Sequence, residues 1–388
     1  MQLTGGRHLA YCTNIHRGES WPETLANLEH HALAVKERVC PHRPFALGLR
    51  LGARAAAEVG DPTALRDFRR WLDKHDCYVF TVNAFPYGQF HGTRVKEQVY
   101  RPDWGSEARL EYTCRVFDLL ADLVPPGGEG SVSTVPVSFK EFGVSPEAER
   151  AMRSNLWQCI EHIAALSERS GRILHLGLEP EPLCHLETTE ETVGFFERMR
   201  ADRPGDSRLD RHLGINYDAC HLGVEFEEAP AALARLREAG ILLSKVHLSS
   251  ALALNPTYEG RARLAAFADQ TYLHQVIARD RNGQITRHRD LPEALANDAA
   301  AQAEEWRIHF HVPLHWEPEG ELGTTRAHLL GVLDELAVDP DRCRHFEMET
   351  YTWEVMPEPL RSRSVVEQLE REYVWTLARW TERGVGPA

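Results

Sequence analysis

The sequence predicts a parallel α/β barrel of eight strands, and two observations predict it. Short apolar runs alternate with helical stretches almost end to end along the 388 residues. Five of those runs break at a residue of metal-ligand type: ILHLGLEP (Glu179), HLGINYDACH (Asp218 and His221), ILLSKVHLSS (His247), WRIHFHVPLH (His309 and His311) and HFEMETYTW (Glu349). Apolar runs of about four to eight residues bounded by Pro, Gly or polar clusters mark strands buried on both faces. A barrel of such strands gathers its active site at their C-terminal ends.

The elements follow in order. RHLAYCTN (7–14) reads as a strand, and Ser20 with Glu23 forms a capping box, with Pro22 in the first turn, for a helix to about Val39. FALGLRL (45–51) is a strand, and Asp61-Pro62 opens a helix to about Lys74. YVFTVNAF (78–85) precedes a Gly- and aromatic-rich loop and a helix over 107–123, then SVSTVPVSF (131–139) and a long helix over 146–169. Helices near 189–200 and 228–239 separate the strands ending at Glu179, Asp218 and His247. Residues 271–290 read as a polar hairpin turning at Asn282-Gly283. A helix near 291–305, the strand WRIHFHVPL, a helix over 324–337, the strand ending at Glu349 and a helix near 363–381 complete the chain. This makes nine strand-like segments for eight barrel places, and the segment 306–312, or its neighbourhood, is the expected extra one. A single barrel domain over 1–388 is expected, with a rim insertion at about 268–305.

Composition sets outer limits. A hydrophobic fraction of 43% and a charged fraction of 26% permit a sizeable core. A formal charge of −14 opposes a nucleic-acid footprint, which needs a clustered basic face. The eight cysteines are scattered without a C-x-x-C pair and predict buried thiols in a reducing cytosol. The N-terminus lacks the pattern of a signal peptide and no window is long enough for a membrane span, so a cytoplasmic protein is expected.

Side chains two apart on a strand share a face. His175, Gly177 and Glu179 therefore fall together, as do Asn216 and Asp218, Lys245 and His247, His309 and His311, and Glu347 and Glu349. Each pair can line one pore with its second member uppermost. Burying a lone carboxylate costs several kcal/mol unless it is paired or coordinated. Each ligand has a plainer alternative: a strand-exit residue for Glu179, a helix cap for Asp218, a loop histidine for His221, a core histidine for His247, an arginine partner for Glu349. Five strand ends of one type argue for a metal. Mixed carboxylate and imidazole ligands suit manganese, zinc, cobalt or ferrous iron, and the lack of thiolates opposes a structural zinc. One ion is expected, and His309-x-His311 with His221 opens a place for a second. Asn83 and His91, in TVNAFPYGQFHG, are candidate substrate contacts, and so is Lys245. Lys140 reads as solvated. No G-x-G-x-x-G, P-loop or G-x-S-x-G motif is present.

The order Glu179, Asp218-x-x-His221, His247, Glu349 resembles the xylose-isomerase-like barrel superfamily of sugar isomerases, ketose 3-epimerases, inosose isomerases and dehydratases, and endonuclease IV. That resemblance implies metal ligation by Glu179, Asp218, His247 and Glu349, with His221 touching substrate. Nearly full-length strings, among them YCTNIHRGESW, TVNAFPYGQFHG, YRPDW, HFHVPL and ETYTW, further resemble the EboE family of metabolite traffic proteins. The gene neighbourhood of that family, with a sugar-phosphate-cyclase-like enzyme and a prenyltransferase, implies a cyclitol-like metabolite. Two departures from the epimerase pattern stand out: about a hundred residues between His247 and Glu349, and the extra His309-x-His311.

The leading expectation is a metal-dependent isomerase or epimerase, or a dehydratase, working through an enediolate on a polyol, keto-sugar or cyclitol. Glu179 and Glu349 are the expected proton carriers and His221 the orienting group. The alternatives are a multi-metal phosphoester hydrolase of the endonuclease IV type on a small phosphate, and a non-catalytic binding or trafficking protein. The expected partner is a small molecule, with no nucleic acid and no membrane; a homodimer is left open.

Overall fold

The computed structural model describes every residue except 359–360 and 362–363. Strand β1 (Gln2–Leu3) lies antiparallel on β2 (Arg7–Cys12). Then come β3 (Phe45–Arg50), β4 (Cys77–Asn83), β5 (Glu129–Thr134), β6 (Ile173–Leu178), β7 (Leu213–Asp218) and β8 (Leu242–Leu248). Five further strands follow: β9 (Ala251–Leu254), β10 (Val276–Arg279), β11 (Ile285–His288), β12 (Glu305–His311) and β13 (Leu322–Thr324). β14 (His345–Met348) returns to the first sheet, pairing parallel with both β8 and β2. Since β2 also pairs with β3, strands β2 to β8 and β14 close an eight-stranded parallel barrel, as expected.

Alternation along each strand explains both layers. Leu174, Leu176 and Leu178 of β6 face the surrounding helices, as do Ile215 and Tyr217 of β7, Val246 and Leu248 of β8, and Phe346 and Met348 of β14. The intervening positions fill the barrel in tiers. At the lower end His8, Phe80, His175 and His345 pack ring against ring. Above them the Lys245 ammonium meets Ser133 and Glu347. Uppermost, at the C-terminal ends, are Glu179, Asp218, His247 and Glu349.

The ninth strand belongs to a second sheet, ordered β11-β10-β12-β9-β13 and antiparallel throughout. The interruption of the barrel therefore runs from β9 to β13 and is wider than the expected 268–305. Trp306, Ile308 and Phe310 build a separate apolar core with Leu252, Leu264, Phe267, Val276 and Leu291. The alternate residues of β12, His309 and His311, are left for the opposite face.

Local signals explain most of the rest. Ser20 and Glu23 form the capping box of the first helix (Trp21–Asn27), which continues through a π-helical turn to Val39. The hairpin turns as expected, with Gly283 at φ 81° next to Asn282. The expected helix over 291–305 shrinks to Leu291–Leu295 and a short turn at Ala300–Gln302. There the Asn297 carboxamide accepts the backbone N–H groups of Ala299 and Ala300, a local bond that competes with helix. The helix at Ala53–Val59 lies outside the sequence expectations. The last helix spans Val365–Thr381, and its expected start at 363 lies outside the described residues. No helix among the described residues is long and apolar enough to cross a membrane.

Candidate metal centre

The expected ligands converge. Glu179 follows β6, Asp218 ends β7, His247 lies near the end of β8, and Glu349 follows β14. Nδ1 of His247 is 3.0 Å from Glu179 Oε1, 2.9 Å from Glu349 Oε2 and 3.3 Å from Asp218 Oδ2. One donor atom from each of the four lies within 4.8 Å of the others, and all four residues are buried. A single ring N–H cannot serve three carboxylates, and Glu179 Oε2 and Asp218 Oδ2 have no hydrogen-bond partner. Three buried carboxylates around one imidazole nitrogen call for a cation, and this donor set fits a divalent ion.

Supporting groups aim each ligand. Nε2 of His247 lies 3.3 Å from Glu347 Oε2, which in turn accepts from the Lys245 ammonium at 2.5 Å. An N–H at Nε2 leaves Nδ1 as the ligating atom, the arrangement by which an outer carboxylate orients a metal-bound histidine. Glycine is required at position 48, because a Cβ there would stand 1.6 Å from Glu347 Oε1. Asp218 divides its work. Oδ1 accepts from the Ser249 hydroxyl (2.7 Å) and the His221 backbone N–H (3.0 Å), capping the helix Ala219–Val224, while Oδ2 faces His247. The helix-cap alternative for Asp218 and the ligand reading therefore hold together.

The charges follow from this crowding. Burial pushes the His247 imidazole down, but Glu349 and Glu179 outweigh it and raise its pKa well above the ordinary value. Burial likewise opposes ionisation of Asp218, yet His221 and His247 hold its carboxyl well below the usual range. Burial lowers His221 to about 4. For His309, burial and the neighbouring His221 and His311 push the imidazole well below its usual value. At Glu347, Lys245 and His247 overcome burial and bring the carboxyl down to about 2.

His309 and His311 lie on the strand expected to be extra to the ring, and so do not line the pore as their two-residue spacing suggested. They hang over the mouth from β12, and the His221 ring lies 4.5 Å from that of His309 and 5.5 Å from that of His311. Lys245 does not reach substrate space, being fully buried one tier below in its ion pair with Glu347. His91 does not line the cleft either. It clamps the loop, with Nε2 2.6 Å from the Asn14 carbonyl and Nδ1 on the Tyr272 hydroxyl. Asn83 does line the cleft, its side-chain oxygen accepting from the Phe85 N–H at 3.0 Å. Lys140 is paired with Glu187 and Glu191 rather than free.

The cleft above the centre encloses about 540 Å³ outside the atoms, its mouth included. Its floor is Glu179, Glu349, His221 and His309, and its walls include Phe85, Phe90, Tyr100, Tyr272 and Tyr351. Three contributors escape the sequence reading. Asn14 donates to Glu349 Oε1. Glu181 accepts from the Tyr100 hydroxyl at 2.6 Å, and burial raises its pKa well above the usual range. Cys220 lies within the same 4.8 Å span of His309 and His311, its thiol held protonated by burial. Only Glu181 had a usable signal, since Pro180 and Pro182 fix it in the turn directly after a ligand-bearing strand.

No family model and no curated protein matches the chain. The EboE membership expected from the motif strings is therefore not supported. Solved structures do match over nearly the full length. A xylose isomerase domain protein from Planctomyces limnophilus aligns with TM-score 0.52 at 12% identity, covering 97% of this chain and 96% of its own. An IOLI protein with a bound zinc aligns with TM-score 0.51 at 14% identity, covering 97% and 98%. An L-ribulose 3-epimerase aligns with TM-score 0.52 at 11% identity, covering 99% and 96%. The fold is that of the xylose-isomerase-like barrels.

Proposed function

We propose that the protein is a divalent-metal-dependent isomerase or epimerase, or the corresponding dehydratase, acting in the cytoplasm on a polyol, keto-sugar or cyclitol-like metabolite. One observation carries this reading: three buried carboxylates crowd one imidazole nitrogen at the floor of a cleft whose lining lysine is already engaged. That lysine, Lys96, bonds Asp290 and the carbonyls of Tyr272 and Asp269. The zinc in the IOLI protein and the reaction named for the L-ribulose 3-epimerase agree with it. The cyclitol-like metabolite in this reading rests on the resemblance of the motif strings to the EboE family.

A divalent ion held by Glu179, Asp218, His247 and Glu349 would supply a Lewis acid that polarises a carbonyl and neutralises charge on its oxygen. The residues provide the proton traffic. Asp218 and His247 lie deeper, whereas Glu179 and Glu349 border the cleft from strands three places apart around the ring. Each can take or return a proton at opposite faces of a bound carbon. Asn14 holds one oxygen of Glu349, leaving the other toward the centre. Nδ1 of His221 faces the Pro180 carbonyl at 3.1 Å, so its Nε2 lone pair is left for the cleft, where His221 forms part of the floor. The aromatic walls exclude water and offer apolar faces to the C–H side of a ring.

A second reading is hydrolysis of a small phosphoester by two ions, favoured by the unpartnered Nε2 atoms of His309 and His311. Solvent exchange separates the two. Metal-loaded protein incubated in D2O with ketopentoses, ketohexoses and a keto-inositol should place deuterium on the carbon beside the carbonyl, and Glu349→Gln should slow that at least about 100-fold. Release of phosphate from a sugar phosphate, with no exchange on any ketone, would favour hydrolysis.

A further inference from the structure

Outside the tetrad of Glu179, Asp218, His247 and Glu349, three imidazoles gather at the barrel mouth, the His221 ring 4.5 Å from that of His309 and 5.5 Å from that of His311, and those two 5.4 Å apart. His309 donates from Nδ1 to the Gln275 side-chain oxygen (2.8 Å), and Gln275 is held by donating to the Tyr100 hydroxyl and the Pro182 carbonyl. His311 donates from Nδ1 to the Glu349 carbonyl (2.9 Å), and His221 from Nδ1 to that of Pro180 (3.1 Å). All three side chains are at least nine-tenths buried. With each Nδ1 proton engaged, each Nε2 is an acceptor, and those of His309 and His311 have no partner. Acceptors facing acceptors in a dry site cost free energy unless something electropositive sits between them. Donor atoms fall within 4.8 Å of one another in three overlapping sets: Asp218 with His221 and His311, Glu181 with His221 and His309, and Cys220 with His309 and His311. Asp218 belongs to both this group and the tetrad.

We propose that Nε2 of His221, His309 and His311 hold a second divalent ion, with Asp218 shared between the two centres. This rests on the reading of the floor as a metal centre, because Asp218 joins them. The inserted sheet then contributes directly to the chemistry. The alternation of β12 that sends Trp306, Ile308 and Phe310 into its own core delivers two imidazoles to the barrel mouth. The two sites differ in ligand softness. Three imidazoles and a carboxylate suit zinc, cobalt or ferrous iron, whereas three carboxylates and one imidazole accept manganese or magnesium more readily. The second ion places positive charge on the side of the cleft lined by His221 and His309, where it meets a second oxygen of the substrate.

The test strips the purified full-length protein with chelator, reloads it with zinc, removes the excess and counts the metal, alongside cobalt loading read by visible absorption. Wild type should carry about two ions per chain, His309→Gln and His311→Gln about one, and Glu179→Gln about one. The intense absorption of four-coordinate cobalt should be lost in the histidine variants and kept in Glu179→Gln. Circular dichroism verifies that each variant folds, and having both histidine variants guards against one that does not. One ion in wild type, unchanged in both histidine variants and lost in Glu179→Gln, would overturn the second site and leave the first intact. No metal in any protein would overturn both.

Discussion

At the residue scale, the centre depends on groups that never meet a substrate. Glu347 occupies one nitrogen of His247, so the other is the one that would ligate, and Glu347 is held by Lys245 and admitted by the missing side chain at Gly48. Replacing Glu347 with Gln keeps the shape and removes the charge that pulls on the His247 proton. Loss of such an outer partner typically weakens metal affinity by about 10–100-fold. The expected outcome for Glu347→Gln is a loss in that range in a zinc competition titration, with the barrel still folded. The sequence made the ligands legible because a strand's two-residue period sorts His175, Lys245 and Glu347 onto the same face as the residues above them. It did not separate tiers, so Lys245 read as a substrate contact when it is a buried partner one level down. Asn14 had no pattern to announce it, since its role comes from β2 and β14 being neighbours across the closure of the ring.

At the element scale, the last helix braces the loop that carries Glu349. Glu372 on Val365–Thr381 accepts from the Thr350 hydroxyl (2.7 Å) and the Leu314 N–H (3.2 Å). Burial raises its pKa to about 7. The folded state thus keeps a proton that the unfolded state gives up near pH 4.5, so stability is full below that value and falls as pH rises toward 7. The loss amounts to roughly 3 kcal/mol once both steps are passed. Denaturant midpoints taken at about pH 5, 6, 7 and 8 should decline for wild type relative to Glu372→Gln, and the difference should level off above about pH 7. The elements themselves were mostly legible, because caps such as Ser20 and Asp61 are local. The second sheet was not, since β9 is a four-residue run (ALAL) with no alternation, and its partner β12 is distant in sequence. The count of nine strands for eight places and the hairpin at 271–290, which is β10 with β11, gave away part of it.

At the scale of the whole molecule, the barrel and the inserted sheet act as floor and roof of one chemical space. The barrel supplies a carboxylate-rich floor from four strand ends, and the sheet lowers His309 and His311 onto it while Tyr272 joins the aromatic wall. A cation bound there would offset this concentration of like charge and unpaired acceptors. Glu179, Asp218, His247 and Glu349 are therefore expected to bind a divalent metal ion. The most direct measurement is elemental analysis of protein purified without chelator, for wild type and for a Glu179→Ala/Asp218→Ala double variant. Wild type should carry about two equivalents of metal per chain, the variant should lose them, and metal addition should raise the melting temperature of wild type alone. Wild-type protein free of metal, folded, and unmoved in melting temperature by manganese, zinc or cobalt would contradict that expectation.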